Sequence, residues 1–124
     1  MKKEVQLPPD DPLNFIQSKV RDSKIYWTYH VNMRLSQRRI TKSMLIGGID
    51  SFELIESYQS DKYLPSYLVW GSCNKVIFHV VFAVDLKMDN VRVVTAYFPD
   101  SVKWKNNFKT FIKHIFFNFI YFTV

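Results

Sequence analysis

Few residues in this chain are equipped for chemistry. There are three histidines, His30, His79 and His114. His30 and His79 are candidates for proton transfer, because an imidazole titrates near neutral pH. Arg34 and Arg38 follow His30 at successive spacings of four, so on a helix the three side chains form one row. A guanidinium offers two parallel donors, which suits a phosphate. Tyr97 is a candidate to donate a proton or to stack on a base, and Lys103 adds a cation just beyond it. Each has a plainer reading. His79 lies in an otherwise apolar run, as a satisfied core histidine would. Arg38 fits a solvated helix face, Tyr97 fits a core residue with its hydroxyl at the rim, and Asp100 after Pro99 fits a turn. Glu53 and Glu56 are too far apart along a strand to form a carboxylate dyad. No metal-binding helix motif, P-loop, nucleophile elbow or dinucleotide fingerprint is present, so no metal and no cofactor is expected. The single cysteine, Cys73, excludes an internal disulfide and a cysteine-rich zinc site.

Three helices precede the strands that must position these groups. Asp10 or Asp11 can cap a first helix that has Pro12 in its first turn and ends near Arg21. An extended piece, Lys24 to Trp27, leads to a second helix from Tyr29 to Gln37, with Thr28 as its cap. Val31 and Leu35 form its buried stripe with Trp27, and the row of His30, Arg34 and Arg38 lies roughly 100° round from it. Thr41 caps a short third helix, with Met44, Leu45 and Ile46 facing inward. Gly47 and Gly48 are expected to close it in left-handed conformation. The period then becomes strand-like. Strands are expected over Ser51–Tyr58, Ser66–Gly71, Val76–Val84 and Val91–Phe98, with a polar loop from Gln59 to Pro65. Ser72–Lys75 reads as a tight turn, Val76–Val84 as the central strand, and Pro99-Asp100 as a stop. The expected class is α+β, with N-terminal helices packed on a four-stranded antiparallel meander.

The chain has 124 residues, enough for one core. A hydrophobic fraction of 48% excludes disorder and low-complexity structure. The net charge of +6 points toward an anionic partner. No apolar stretch reaches the roughly 18 residues that span a bilayer, so no membrane is expected. With one cysteine and no signal-like segment, a cytoplasmic location is expected. Residues 1–11 read as a flexible tail and 12–107 as a single domain. Residues 108–124 are rich in phenylalanine. They are compatible with a helix closing over the sheet, a partner-binding helix, or a non-native extension.

The pattern also resembles a known family. Trp27-Thr28-Tyr29-His30, Arg34-Leu35, Arg38 and Ile40 resemble a recurring helix in a small bacterial domain of unknown function. Phe52 to Tyr58 is similar to that family's "Ile-Ile-Glu-x-Tyr" strand, and Pro65 to Gly71 to its "Pro-Ser-x-Leu-x-x-Gly". Phe78-His79-Val80-Val81 is similar to its "Leu-His-Val-Val". Thr95 to Asp100 with Trp104 is similar to its "Thr-Ala-Tyr-Glu-Pro-Asp" and trailing Trp. Together these cover residues 12 to about 104. That family resembles, at a distance, the RelE and BrnT ribonuclease toxins of toxin–antitoxin pairs. The resemblance implies a RelE/BrnT-like sheet backed by helices, RNA as substrate (ribosome-bound in some such toxins), and an antitoxin protein as partner. Two positions depart from the pattern, Leu35 in place of Met and Phe98 in place of Glu.

On this basis the expected function is a metal-independent endoribonuclease. His30 and His79 would transfer protons, Arg34 and Arg38 would hold phosphate with Lys103, and Tyr97 would assist. The alternative is a non-catalytic module that binds RNA or protein through the same basic shoulder, or a degraded family member. Loss of the family Glu at Phe98 favours the alternative.

Overall fold

The computed structural model describes residues 6–58 and 63–112. Three helices come first: α1 (Pro12–Arg21), α2 (Tyr29–Gln37) and α3 (Lys42–Gly47). A two-residue strand, β1 (Ile25–Tyr26), separates α1 from α2, and a short 3-10 turn (Ile49–Ser51) follows α3. Then come β2 (Glu53–Tyr58), β3 (Ser66–Cys73), β4 (Val76–Asp85) and β5 (Asn90–Tyr97), and last a small hairpin of β6 (Trp104–Lys105) and β7 (Thr110–Phe111). Each helix starts where a side-chain oxygen can serve its first turn. Asp11 accepts from the Asn14 amide at 3.0 Å, Thr28 from Val31 at 3.2 Å and Thr41 from Met44 at 3.2 Å.

The strands pair in the order β1-β5-β4-β3-β2. The four long strands run antiparallel, each beside its sequence neighbour, but the sheet is five-stranded and mixed. β1 joins β5 in parallel, pairing Ile25 with Val91 and Tyr26 with Arg92. This corrects the expected four-stranded antiparallel meander. Two residues carry no alternation from which a strand could be read; β1 exists because α1 delivers it to an open sheet edge. Asn74 and Lys75 turn β3 into β4 with φ of 51° and 68°, the mirror-image turn that matches strand twist.

The helices cover one face of the sheet only. Ile16, Val20, Leu35 and Leu45 meet Val69, Phe78, Val80, Phe82, Val84, Val91 and Val93 in the main core. On the other face, Leu68 and Val81 are covered by Trp104 and Phe111 from the hairpin. Phe108 and Thr110–Phe111 therefore belong to a strand hairpin, not to a helix; what was read for 113–124 lies outside the described residues.

Two further expectations, both at α3, are corrected. Gly48 has φ of −99° and no glycine has positive φ, so Gly47 and Gly48 are not left-handed. Gly48 is needed for closeness instead: a Cβ there would stand 2.9 Å from the Phe78 ring and 3.0 Å from the Ser72 carbonyl. Ile46 does not face inward but is exposed, because in so short a helix only Leu45, with Met44 beside it, reaches the core. Gln6, within the expected tail, is held down: its amide donates to Asp85 at 2.9 Å, and its side-chain oxygen accepts from Leu86 at 3.0 Å. Among the described residues, no helix is long and apolar enough to cross a membrane.

Candidate functional site

α2 supplies the candidate site. Val31 and Leu35 turn toward the core, which leaves His30 and Arg34 on the exposed shoulder one turn apart. Together with Val31, Met33, Gln37 and Val94, they line an open hollow of about 330 Å³ against β5. The hollow has a polar side of imidazole, guanidinium and amide, and an apolar side of Met33 and Val94. Tyr29 (73% exposed) and Tyr26 (53%) add two accessible aromatic faces on the same stretch of chain. Tyr29 and His30 stand edge to face, 6.3 Å apart. Gln37 and Val94 had no place in the reading of the sequence. Gln37 lies one turn beyond Arg34, a spacing that could have pointed to it. Val94 is in the hollow because β5 bulges there: Val81 pairs with Thr95, but Phe82 pairs with Val93.

Arg38 shares the row of His30 and Arg34 but not their exposure. Its Nη1 donates to the Ala96 carbonyl at 2.8 Å and to Thr95 Oγ1 at 3.3 Å. β1 covers β5 only at Val91 and Arg92, so farther along the strand a carbonyl has no strand partner among the described residues. Arg38 satisfies it and ties α2 to the sheet edge, a structural task for its Nη1.

His79 and Tyr97 lie elsewhere. In β4 the residues Phe78, Val80, Phe82 and Val84 face the helices, so His79 faces the hairpin. The bulge puts Ala96 on the helix side and leaves Tyr97 opposite His79. His79 is fully buried. Its Nε2 donates to the Phe108 carbonyl at 2.7 Å, which leaves Nδ1 to accept from the Tyr97 hydroxyl at 3.3 Å. Trp104 stands edge-on to the imidazole at 4.5 Å. Burial pushes His79 down to about 4, against the opposing pull of the Phe108 carbonyl, so the ring is neutral at pH 7. Lys103 opens the same hairpin: its carbonyl accepts from Ile112 and its amide donates to Asp100. Asp100 is a turn residue, its carboxylate accepting from Val102 at 2.6 Å.

The expected set of His30, Arg34, Arg38, His79, Tyr97 and Lys103 therefore does not converge. The sheet separates His79, Tyr97 and Lys103 from the α2 hollow, and of the helix row only His30 and Arg34 open into it. Phe98, where the resemblance leads one to expect Glu, is 40% exposed and brings no carboxylate to either side. Among the described residues, no three His, Cys, Asp or Glu side chains could hold a metal ion together.

A family model described as a domain of unknown function, DUF4258, matches residues 27–98, more than half of the chain, and the chain belongs to that family. No curated protein and no solved structure matches it.

Proposed function

We propose that this member of the DUF4258 family binds RNA through the exposed shoulder of α2. Arg34 and His30 would hold phosphate, Gln37 would add an amide, and the open faces of Tyr29 and Tyr26 would receive bases. The observation that carries this reading is the shared hollow of His30, Arg34 and Gln37, open to solvent and backed by Val94. The net charge of +6 supports an anionic ligand. The resemblance to RelE and BrnT toxins favours RNA among such ligands, and an antitoxin as protein partner.

A second reading is favoured by one feature of the same hollow, an imidazole beside a guanidinium. His30 would take the proton from a ribose 2′-hydroxyl, whose oxygen attacks phosphorus while the bond to the 5′-oxygen breaks. Arg34 would stabilise the phosphorane, and the leaving oxygen would take a proton from solvent. His79 and Tyr97 have no part in it.

Both readings are tested by titrating a fluorescent single-stranded RNA at several salt concentrations and running the same mixtures on a denaturing gel. Arg34→Ala is expected to weaken binding and flatten the salt dependence by about 0.7 in logarithmic slope. Unchanged affinity in the His30→Ala, Arg34→Ala double variant would overturn the site. Strand cleavage that disappears with His30→Ala would establish the second reading.

A further inference from the structure

The β6–β7 hairpin is seated on a row of side chains that runs straight across the sheet. Glu53, Trp70, His79 and Tyr97 are successive cross-strand partners on β2, β3, β4 and β5. The hairpin engages the first three directly. Lys109 pairs with Glu53 at 2.7 Å and places its ammonium 4.3 Å from the centre of the Trp70 ring. The Trp70 indole N–H donates to the Asn107 carbonyl at 2.8 Å, and His79 Nε2 donates to the Phe108 carbonyl at 2.7 Å. Trp104 packs edge-on against His79 and, at 5.2 Å, against Phe111.

The turn that displays those two carbonyls is an unusual one. Asn106, Asn107 and Phe108 have φ of 54°, 60° and 65°, three left-handed residues in succession without a glycine. Such a conformation persists only where surrounding contacts enforce it. Here those contacts include the bonds from Trp70 and His79, beside the turn's own bonds from Asn106 to Thr110 and from the Lys109 amide to Asn106.

Among the described residues, His79 has no counter-charge. β5 presents the Tyr97 hydroxyl, β3 the Trp70 indole, and the hairpin Trp104, the Phe108 carbonyl and the Lys109 ammonium above Trp70. The carboxylate in the row, Glu53, is two strands away, roughly 10 Å at ordinary strand spacing, and is already paired with Lys109. A proton on His79 would therefore place a charge in an apolar slot with nothing to balance it.

We propose that the hairpin is an acid-released clasp: protonation of His79 detaches residues 104–112 from the sheet and uncovers Trp70, Trp104 and the apolar face beneath, while the helix-backed face stays folded. Closed, the slot holds the imidazole down to about 4; open, it returns toward its ordinary value of about 6.5. Protons then favour the open form below the ordinary value, and the open-to-closed ratio rises roughly 80-fold between pH 6.5 and 4, toward a limit of roughly 300-fold at lower pH.

The test is two-dimensional NMR of the full chain between pH 7.5 and 4.5, with amide exchange corrected for its intrinsic pH dependence. The expected result is that the Trp70 indole N–H loses its bonded shift and amides of 104–112 lose at least tenfold in protection, while β4 amides facing the core keep theirs. His79→Gln keeps a donor for the Phe108 carbonyl but cannot titrate, and its hairpin is expected to stay closed at pH 4.5. Acid opening that is the same in His79→Gln would overturn the proposal. So would a wild-type His79 resonance that titrates while the hairpin amides stay protected, a result that does not depend on any variant folding.

Discussion

Gly71→Ala sets two effects of opposite sign against each other. Glycine inside a strand costs about 0.5–1 kcal/mol relative to alanine, so with room for a methyl group the variant would gain stability. Gly71 has no such room. A Cβ there would stand 2.6 Å from Phe78 Cε1, 2.8 Å from Phe78 Cζ and 3.1 Å from Phe52 Cδ1. Carbon atoms rest at about 3.5–4.0 Å, so the overlap with the ring is roughly 1 Å. The ring has little freedom to retreat. It is fully buried, meets Phe52 edge-on at 6.4 Å, and is approached by Gly48 as well, where a Cβ would lie 3.2 Å from Phe78 Cε2. Overpacking of this kind costs about 1–3 kcal/mol, so the expected net result is a loss of about 1–2 kcal/mol. Urea unfolding followed by circular dichroism at pH 7 measures it. The same substitution in a Phe78→Leu background is the control, because leucine removes the ring atoms that the methyl meets. There Gly71→Ala should cost little or nothing, giving a coupling of about 1 kcal/mol or more between the two positions. A Gly71→Ala protein more stable than the wild type would refute the packing argument, and so would an equal loss in both backgrounds.

Arg38→Ala is expected to lower stability by about 1.5–3 kcal/mol, the range for a hydrogen bond to a charged group, and to leave the salt dependence of RNA binding unchanged. A flattened salt slope at unchanged stability would show that Arg38 holds phosphate after all. For pH, the sign follows from the folded state binding fewer protons than the unfolded one. His79 is depressed to about 4 in the fold against 6.5 in the free side chain. Its contribution is therefore complete above pH 6.5 and is lost as pH falls toward 4. At about 1.4 kcal/mol per pKa unit the loss is at most about 3 kcal/mol, and less where the hairpin opens first and takes up the proton without global unfolding. Denaturant midpoints at pH 7, 6, 5 and 4.5 check this, and a flat profile over that range refutes it. Asp89 acts in a separate, lower window: Lys19 and Lys24 hold its carboxyl down from 3.8 to about 2, so the stability it adds is lost only as pH falls through that interval.

Much of the scaffold was legible because its signals are local. Thr28, Thr41 and Asp11 announce helix starts by one hydrogen bond each, and Asn74-Lys75 sits at a tight turn between two apolar runs. The extended piece at Lys24–Trp27 was legible, but its parallel place beside β5 was not, nor was the hairpin, since such two-residue strands pair according to where the remaining chain delivers them. Within the candidate site, the exposure of His30 and Arg34 followed from helical spacing. The inward turn of Arg38 did not, because it answers an unpaired carbonyl on a strand far along the chain.

The separation of His79 and Tyr97 from the α2 hollow has two physical origins of different standing. For His79 it is parity: an apolar set at 78, 80, 82 and 84 facing the helices forces position 79 to the opposite face, as any strand with period two requires. For Tyr97 parity argues the other way. Val91 and Val93 face the helices, so an unbroken β5 would bring Tyr97 round to the same side. The extra residue at Val94 reverses that alternation, sending Ala96 inward and Tyr97 across to His79. The same bulge carries Val94 out into the hollow beside His30 and Arg34. One inserted residue thus supplies the apolar wall of the proposed RNA site and removes the tyrosine from it, and it gives the buried histidine a hydroxyl partner at Nδ1.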